Sequence, residues 1–234
     1  MKKRYGMVID LHKCTGCGAC AMACKQENNV QDGHFWCNYI TEIKGSFPDV
    51  QYTYTPTFCN HCDKAPCIPV CPVKPHKAIF KNQDGLTLMD AERCIGCQAC
   101  QRRCPYGVIW FHEKEPHPFW ESENAKAVTG KTGAEHFPYY NPNRATTWSG
   151  SGIRKRGVVE KCSFCDHRIE VGKIPFCAER CPAGAIHFGD LNESGGNLQQ
   201  LLKQYPQARR LKEELGAEPR VYYIRTFNRT GTPA

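Results

Sequence analysis

The chain has 234 residues, of which 41% are hydrophobic and 17 are cysteine, with a mean hydropathy of −0.56. That composition is polar for a globular protein, and no apolar run reaches the roughly 18 residues that would cross a bilayer as a helix. The formal net charge of +8 counts every thiol as neutral, so it is not by itself a nucleic-acid signal.

The residues Met1 to Asp10 are basic at first but lack an apolar h-region and a cleavage site. Val8 and Ile9 predict a short strand leading into Cys14, Cys17, Cys20 and Cys24, the first of four tight cysteine runs. The second run is Cys59, Cys62, Cys67 and Cys71; the third is Cys94, Cys97, Cys100 and Cys104; the fourth is Cys162, Cys165, Cys177 and Cys181. Between runs two and three, Ala78-Ile79-Phe80, a turn at Asp84-Gly85, and Leu86 to Met89 predict a β-hairpin. Residues 105–111 and 182–188 predict equivalent strands after Cys-Pro, a sign of internal duplication. Residues 112–157 are rich in proline, glycine, asparagine and aromatics without periodicity. A structureless stretch of that length inside a domain points to function, here an arm that docks a partner through Trp110, Trp120, Phe137, Tyr139, Tyr140 and Trp148. Leu198, Leu201, Leu202, Tyr205, Ala208 and Leu211 predict helical segments interrupted near Pro206, and Arg220 to Arg225 a closing strand.

Runs one and three read C-x2-C-x2-C-x3-C, and Pro72, Pro105 and Pro182 directly follow the last cysteine of runs two, three and four. This is the ferredoxin pattern, in which three thiolates of a run hold one 4Fe–4S cubane and the fourth serves its neighbour. Two intervening residues let the chain turn once between ligands. Gly16 and Gly96 permit positive φ there, which brings backbone amides toward the sulfurs. Disulfides require an oxidising compartment, and zinc sites favour C-x2-C pairs on a longer spacer, so neither suits four compact runs. Four 4Fe–4S clusters are therefore expected. Each carries about −2, which offsets the formal positive charge and removes the case for a general basic field.

Runs two and three are close in sequence and form one local unit, so runs one and four pair by elimination. The ferredoxin rule then predicts crossed ligation: Cys59, Cys62, Cys67 and Cys104; Cys94, Cys97, Cys100 and Cys71; Cys14, Cys17, Cys20 and Cys181; Cys162, Cys165, Cys177 and Cys24. Cys37 has no near cysteine partner and reads as a buried packing thiol. His61, inside Cys59-Asn60-His61-Cys62, is not needed as a ligand. Arg93, Arg102, Arg103, Lys161 and Arg168 adjoin ligands and are candidates to raise cluster potentials, most of all Lys161 and Arg168. No phosphate loop, dinucleotide fingerprint or catalytic triad is present, and no catalytic residue is assigned.

The chain resembles the four-cluster electron-transfer (beta) subunits of the molybdopterin oxidoreductase superfamily, over residues 5–111 and 158–227. The stretches that carry the likeness are Lys161-Cys162-Ser163-Phe164-Cys165-Asp166-His167-Arg168, continuing to Gly172, Pro175, Cys177 and Cys181-Pro182. Cys59-Asn60-His61-Cys62 with Ala65-Pro66-Cys67, and Pro219 to Arg225, add to it. The insertion and ending are most similar to the small subunits of respiratory arsenate reductases, then to polysulfide and thiosulfate reductases. The resemblance implies an α+β fold of two pseudo-symmetric ferredoxin-like units with short strands and small helices. Residues 1–58 with 158–190 would form the outer unit and 59–111 the inner one, with 112–157 as insertion and 191–234 as a C-terminal extension. It also implies a large molybdopterin catalytic partner, and a membrane quinol-oxidising subunit or cytochrome as the other electron partner. The expected location is periplasmic, by folded export with a signal-bearing partner, since no address is read in this chain; the cytoplasmic face of the membrane is the alternative. A free-standing polyferredoxin is the competing reading, and a nucleic-acid-binding regulatory protein a third.

Overall fold

The computed structural model describes residues 3–31, 33–113 and 156–225. The central strand β1, Tyr5–Asp10, is buried along its whole length. It pairs antiparallel with β8, Ile186–Asp190, and parallel with β9, Val221–Ile224. A strand hydrogen-bonded on both edges and covered on both faces reads as a continuous apolar run, and Tyr5-Gly6-Met7-Val8-Ile9 is one.

Among the described residues the other strands make three antiparallel pairs. β2, Cys37–Ser46, pairs with β3, Asp49–Phe58; β4, Ile79–Lys81, pairs with β5, Thr87–Met89; β6, Ile109–Phe111, pairs with β7, Val159–Lys161. Their placement follows one rule. The strand leaving each cysteine run pairs with the strand entering the next, and the last of these pairs, β8 with β1, closes the cycle from run four to run one. The expected hairpin between runs two and three, the strands after Cys104 and Cys181, and the closing strand are all found.

The β2–β3 hairpin was not foreseen. Its register puts Tyr39, Ile43, Val50, Tyr52 and Tyr54 on one face and Ile40, Glu42, Lys44, Gln51, Thr53 and Thr55 on the other. The base is buried at Cys37 and Phe58, while the tip is open, with Phe47 91% exposed. Gly45 must be glycine: its φ is +86°, and a Cβ there would lie 2.0 Å from the Asp49 carbonyl oxygen.

The five α-helices among the described residues are short. They are α1, Ala19–Asn28; α2, Ala99–Arg103; α3, Asp166–Glu170; α4, Phe176–Glu179; and α5, Asn197–Gln204. α5 buries Leu198 against Val8, Leu191 and Ile224, and ends at Tyr205 because the following proline disfavours helical geometry before it. The main core mixes cysteines with Met7, Ile9, Phe58, Phe164 and Tyr223, so sulfur sites and apolar packing are one structure. Of the expected docking arm, 114–155 lies outside the described residues. Trp110, in the strand just before it, donates its indole N–H to the Phe35 carbonyl at 2.8 Å.

Candidate functional site

Runs one and three fold alike. Gly16 and Gly96 have φ of +68° and +70°. A Cβ at Gly16 would lie 2.5 Å from the Tyr54 ring, and one at Gly96 would lie 2.0 Å from the Gly157 carbonyl oxygen, so only glycine serves. A left-handed residue, Gly18 or Gln98, then starts α1 or α2, whose first turn carries Cys20 or Cys100. Amides in the first turn of a helix lack an intrahelical acceptor. Those of Cys20 and Ala21 point at the Cys20 sulfur, and those of Cys100 and Gln101 at the Cys100 sulfur. Other amides reach sulfur too: Gly96 to Cys94 Sγ at 3.5 Å, Phe164 to Cys162 Sγ at 3.3 Å and Ala185 to Cys181 Sγ at 3.3 Å. The Asn28 amide group reaches Cys24 Sγ at 3.6 Å and Cys165 Sγ at 3.9 Å.

The sixteen run cysteines gather into neighbourhoods that cross between runs. Cys14, Cys17, Cys20 and Cys181 line one cavity, and Cys71, Cys94, Cys97 and Cys100 line another. Neither lining contains a carboxylate. Cys24 lies within electrostatic range of Cys162 and Cys165, and Cys177 of Cys165, Cys24 and Cys162. Cys62 and Cys67 face Cys59 and Cys104. These neighbourhoods touch in a definite sequence. Cys20 is in range of Cys24 and Cys177, Cys162 of Cys59, and Cys67 of Cys100. The order is therefore the Cys14 set, the Cys24 set, the Cys59 set and the Cys71 set. Of all the cysteines only Cys17 and Cys97 are exposed, one in each outer set.

The donor set fits cubanes. Among the described residues no three His, Cys, Asp or Glu side chains converge closely enough to hold a single metal ion; the sulfurs are spread around cavity walls instead. Burial, reinforced by the neighbouring sulfur of Cys59, pushes the Cys62 and Cys67 thiols up to about 12. Burial likewise takes Cys100 and Cys165 to about 11. Crowded, desolvated thiolates need positive charge, which cluster iron supplies. At Cys71 burial opposes ionisation, but amide donation from Val73, Ile79 and Ala78, helped by the nearby Lys77, outweighs it and holds the thiol below its ordinary value.

His61 is placed for another task than ligation. It is fully buried; its Nδ1 accepts the Thr87 amide at 3.0 Å and its Nε2–H donates to the Cys162 carbonyl at 3.1 Å. Burial, then the nearby Lys161, Lys81 and Arg220, hold its pKa well below the ordinary value, so the ring is neutral. Cys37 is buried as expected, yet packing is only part of its role. Its thiol hydrogen-bonds Cys20 and lies within range of Cys177 and Cys24. The cations beside ligands also differ. Arg93 pairs with Asp90 at 2.9 Å, Arg102 donates to the Cys97 carbonyl at 3.1 Å, and Arg103 is exposed. Arg168 pairs with Glu27 at 3.4 Å and with Glu179, so its charge is neutralised locally. Lys161 alone is both buried and bound only to carbonyls.

Residues 50–118 and 138–191 match the 4Fe-4S dicluster domain family, and residues 7–27 the 4Fe-4S binding domain family. The arsenate respiratory reductase iron-sulfur subunit of Shewanella sp. (strain ANA-3) is 46% identical, covering 96% of this chain and 97% of that one. A selenate reductase subunit of Mesobacillus selenatarsenatis is 37% identical over 93% and 70% of the two chains. A tetrathionate reductase subunit of Salmonella typhimurium is 32% identical over 95% and 73%. With thiols arranged as they are here, these likenesses identify the chain as a member of the 4Fe-4S dicluster family of iron–sulfur subunits, a non-catalytic electron-transfer component of an oxidoreductase complex.

Proposed function

We propose that this chain carries electrons through a line of four 4Fe–4S clusters between a molybdopterin catalytic subunit and a quinol-linked membrane subunit or cytochrome. The ligands are Cys14, Cys17, Cys20 and Cys181 for the first cluster and Cys24, Cys162, Cys165 and Cys177 for the second. Cys59, Cys62, Cys67 and Cys104 hold the third, and Cys71, Cys94, Cys97 and Cys100 the fourth. When bound, the clusters supply one-electron oxidation and reduction. The chain's amides stabilise the thiolates, and its core excludes water from the inner sets. The observation that carries this reading is the serial order of the thiol sets with exposed cysteines, Cys17 and Cys97, only in the two end sets. A two-ended relay needs that; a storage or regulatory site does not.

Two pseudo-symmetric units, runs one and four against runs two and three, accord with this ligation. The arm 112–157 docks the catalytic subunit, and the complex is exported to the periplasm already folded. Arsenate is the favoured terminal acceptor, since the Shewanella relative is named for it and matches end to end. Iron analysis of the purified complex should give about 16 iron per chain; about 8 would overturn the four-cluster ligation. Size-exclusion of the native protein separates a fixed subunit, which co-elutes with a much larger partner, from a free polyferredoxin, which does not. Reoxidation of the reduced complex by arsenate and not by tetrathionate would establish the acceptor, and the reverse result would reassign it.

A further inference from the structure

The seam between the Cys24 set and the Cys59 set holds an unusual concentration of positive charge. Lys161 is 5% exposed, and its ammonium donates to the carbonyls of Thr87 and Cys162. Lys81, half-buried, donates to the carbonyls of His61 at 3.2 Å, Gly85 at 2.9 Å and Cys62. Among the described residues no carboxylate comes within ion-pair distance of either ammonium. On the Lys81 side Asp63 is in electrostatic range, but it is already engaged by Arg4 and Arg220. On the Lys161 side Asp166 is in electrostatic range, but its carboxyl is turned to Ser163. A buried ammonium without a counter-charge costs several kcal/mol, so such groups are retained where an anion compensates them.

The two lysines face sulfur. Lys161 is in electrostatic range of Cys67 on one side of the seam and Cys162 on the other, and Lys81 of Cys59. His61 crosses the same seam, hydrogen-bonding the Cys162 carbonyl from the run-two loop, and its neutral ring adds no further charge. Carbonyl donation fixes both ammonium groups, so their positions do not depend on flexible side-chain equilibria. The outer cavities at Cys14 and Cys94 have apolar or backbone linings; Lys77, half-buried, donates to the Pro69 and Cys71 carbonyls and is in electrostatic range of Cys71, but no cation there is as deeply buried as Lys161.

We propose that Lys81 and Lys161 are positioning charges that hold the two inner clusters at higher potential than the two outer ones, making the seam the place where an electron in transit rests. The inference rests on the four-cluster reading above. A fixed positive charge favours the reduced, more negative state of a nearby cluster, and does so most where water is excluded. The relay then fills from the middle, and the outer clusters act as couplings to the partners.

The test is a redox titration of the complete complex, followed by electron paramagnetic resonance, for the wild type, Lys161→Met, Lys81→Met and Lys161→Arg. Methionine keeps the length and apolar stem and removes the charge. In each neutral variant the oxidised-to-reduced ratio of the inner clusters at fixed potential should rise at least tenfold. That is a fall of about 59 mV for one electron, with the outer pair unmoved and Lys161→Arg close to wild type. If Lys161→Met fails to assemble, Lys81→Met, at the more open site, decides alone. Unchanged inner potentials, or an equal shift of all four, would overturn the inference. A wild-type complex with fewer than four clusters would instead defeat the ligation reading, so the two failures are distinguishable.

Discussion

Asp63, which follows Cys62, joins both ends of the described chain to a cluster loop. Arg220 donates from Nε to Asp63 Oδ1 at 2.7 Å and from its terminal nitrogen at 2.6 Å, while Arg4 donates to Oδ2 at 3.0 Å. The Arg220 amide also donates to the Asn60 carbonyl at 3.0 Å, so backbone and side chain clamp the same loop. Asp63→Ala strips the Arg220 side chain, 7% exposed, of its carboxylate. Removing one partner of a fully buried pair costs about 3–5 kcal/mol. The Asp63 side chain is 23% exposed, so water recovers part of that, and about 2–3 kcal/mol is the better expectation. The Arg4 pair, more open at 31%, adds under about 1 kcal/mol. Loss of clusters is irreversible, so the readout is a rate. A loss of about 3 kcal/mol expressed in unfolding speeds cluster bleaching in guanidinium about 100-fold. Asp63→Leu combined with Arg220→Met should recover part of that stability, because the most buried charge goes with the carboxylate while Arg4 loses its partner at a more open site. Burial raises the Asp63 pKa, but Arg4 and Arg220 outweigh it and leave it below the ordinary 3.8. The stabilisation is therefore complete at neutral pH and is lost only as the pH falls through the folded-state value. Bleaching of Asp63→Ala within about twofold of wild type would refute this reasoning.

Arg168→Ala should lower the potential of the cluster that includes Cys165, because it leaves Glu27 and Glu179 without their cation, and should destabilise by about 1–2 kcal/mol; Arg168→Ala combined with Glu27→Gln should recover part of the potential, and an unchanged potential in the single variant would show that these charges do not reach the cluster. Cys37→Ala should retain all clusters while altering the resonance of the one that includes Cys20, which loses a sulfur hydrogen bond; loss of iron would make Cys37 a ligand. Gly16→Ala forces a methyl onto the Tyr54 ring at positive φ, so it should lower iron content, and Tyr54→Ala in the same chain should restore part of it. Phe47→Ser at the open hairpin tip should change stability by less than about 0.5 kcal/mol; a larger loss, measured as bleaching rate, would mean that the tip is packed.

The sulfur chemistry was legible because a short loop carries its own ligand spacing. Three thiols of a run need only local turns, and the Cys-Pro ends and the Asp84-Gly85 turn are equally local. The β2–β3 hairpin carried a readable signal, the alternation of Tyr39, Thr41 and Ile43 answered by Val50, Tyr52 and Tyr54 around Phe47-Pro48, which the cysteine pattern overshadowed. The different fates of Lys161 and Arg168 could not be read. Both adjoin ligands in sequence, but Arg168 on α3 meets Glu27 on α1 and Glu179 on α4, two helices that pack together, whereas Lys161 donates to the Thr87 carbonyl of β5. Lys81 carried no motif at all; its importance comes from the β4–β5 hairpin folding it over the run-two loop. The Cys37 partnership likewise depends on α1 lying beside β2.

The cyclic pairing of strands has a consequence in time. On the ribosome β1 emerges before any of the other strands, yet both of its partners, β8 and β9, come from the far end of the described chain. The thiols of run one are therefore made early and must wait, reduced and without their Cys181 and Cys177 neighbours, until residues 176–190 have been translated. The neighbourhoods built from runs two and three have all of their thiols as soon as Cys104 is out, although the partner of the strand that follows it, β7, comes later. Under the ligation proposed above, iron delivery would have two windows, an early one in the middle of the chain and a late one that follows translation of run four. Oxygen exposure in the interval between them would damage the waiting first run in preference to the inner ones.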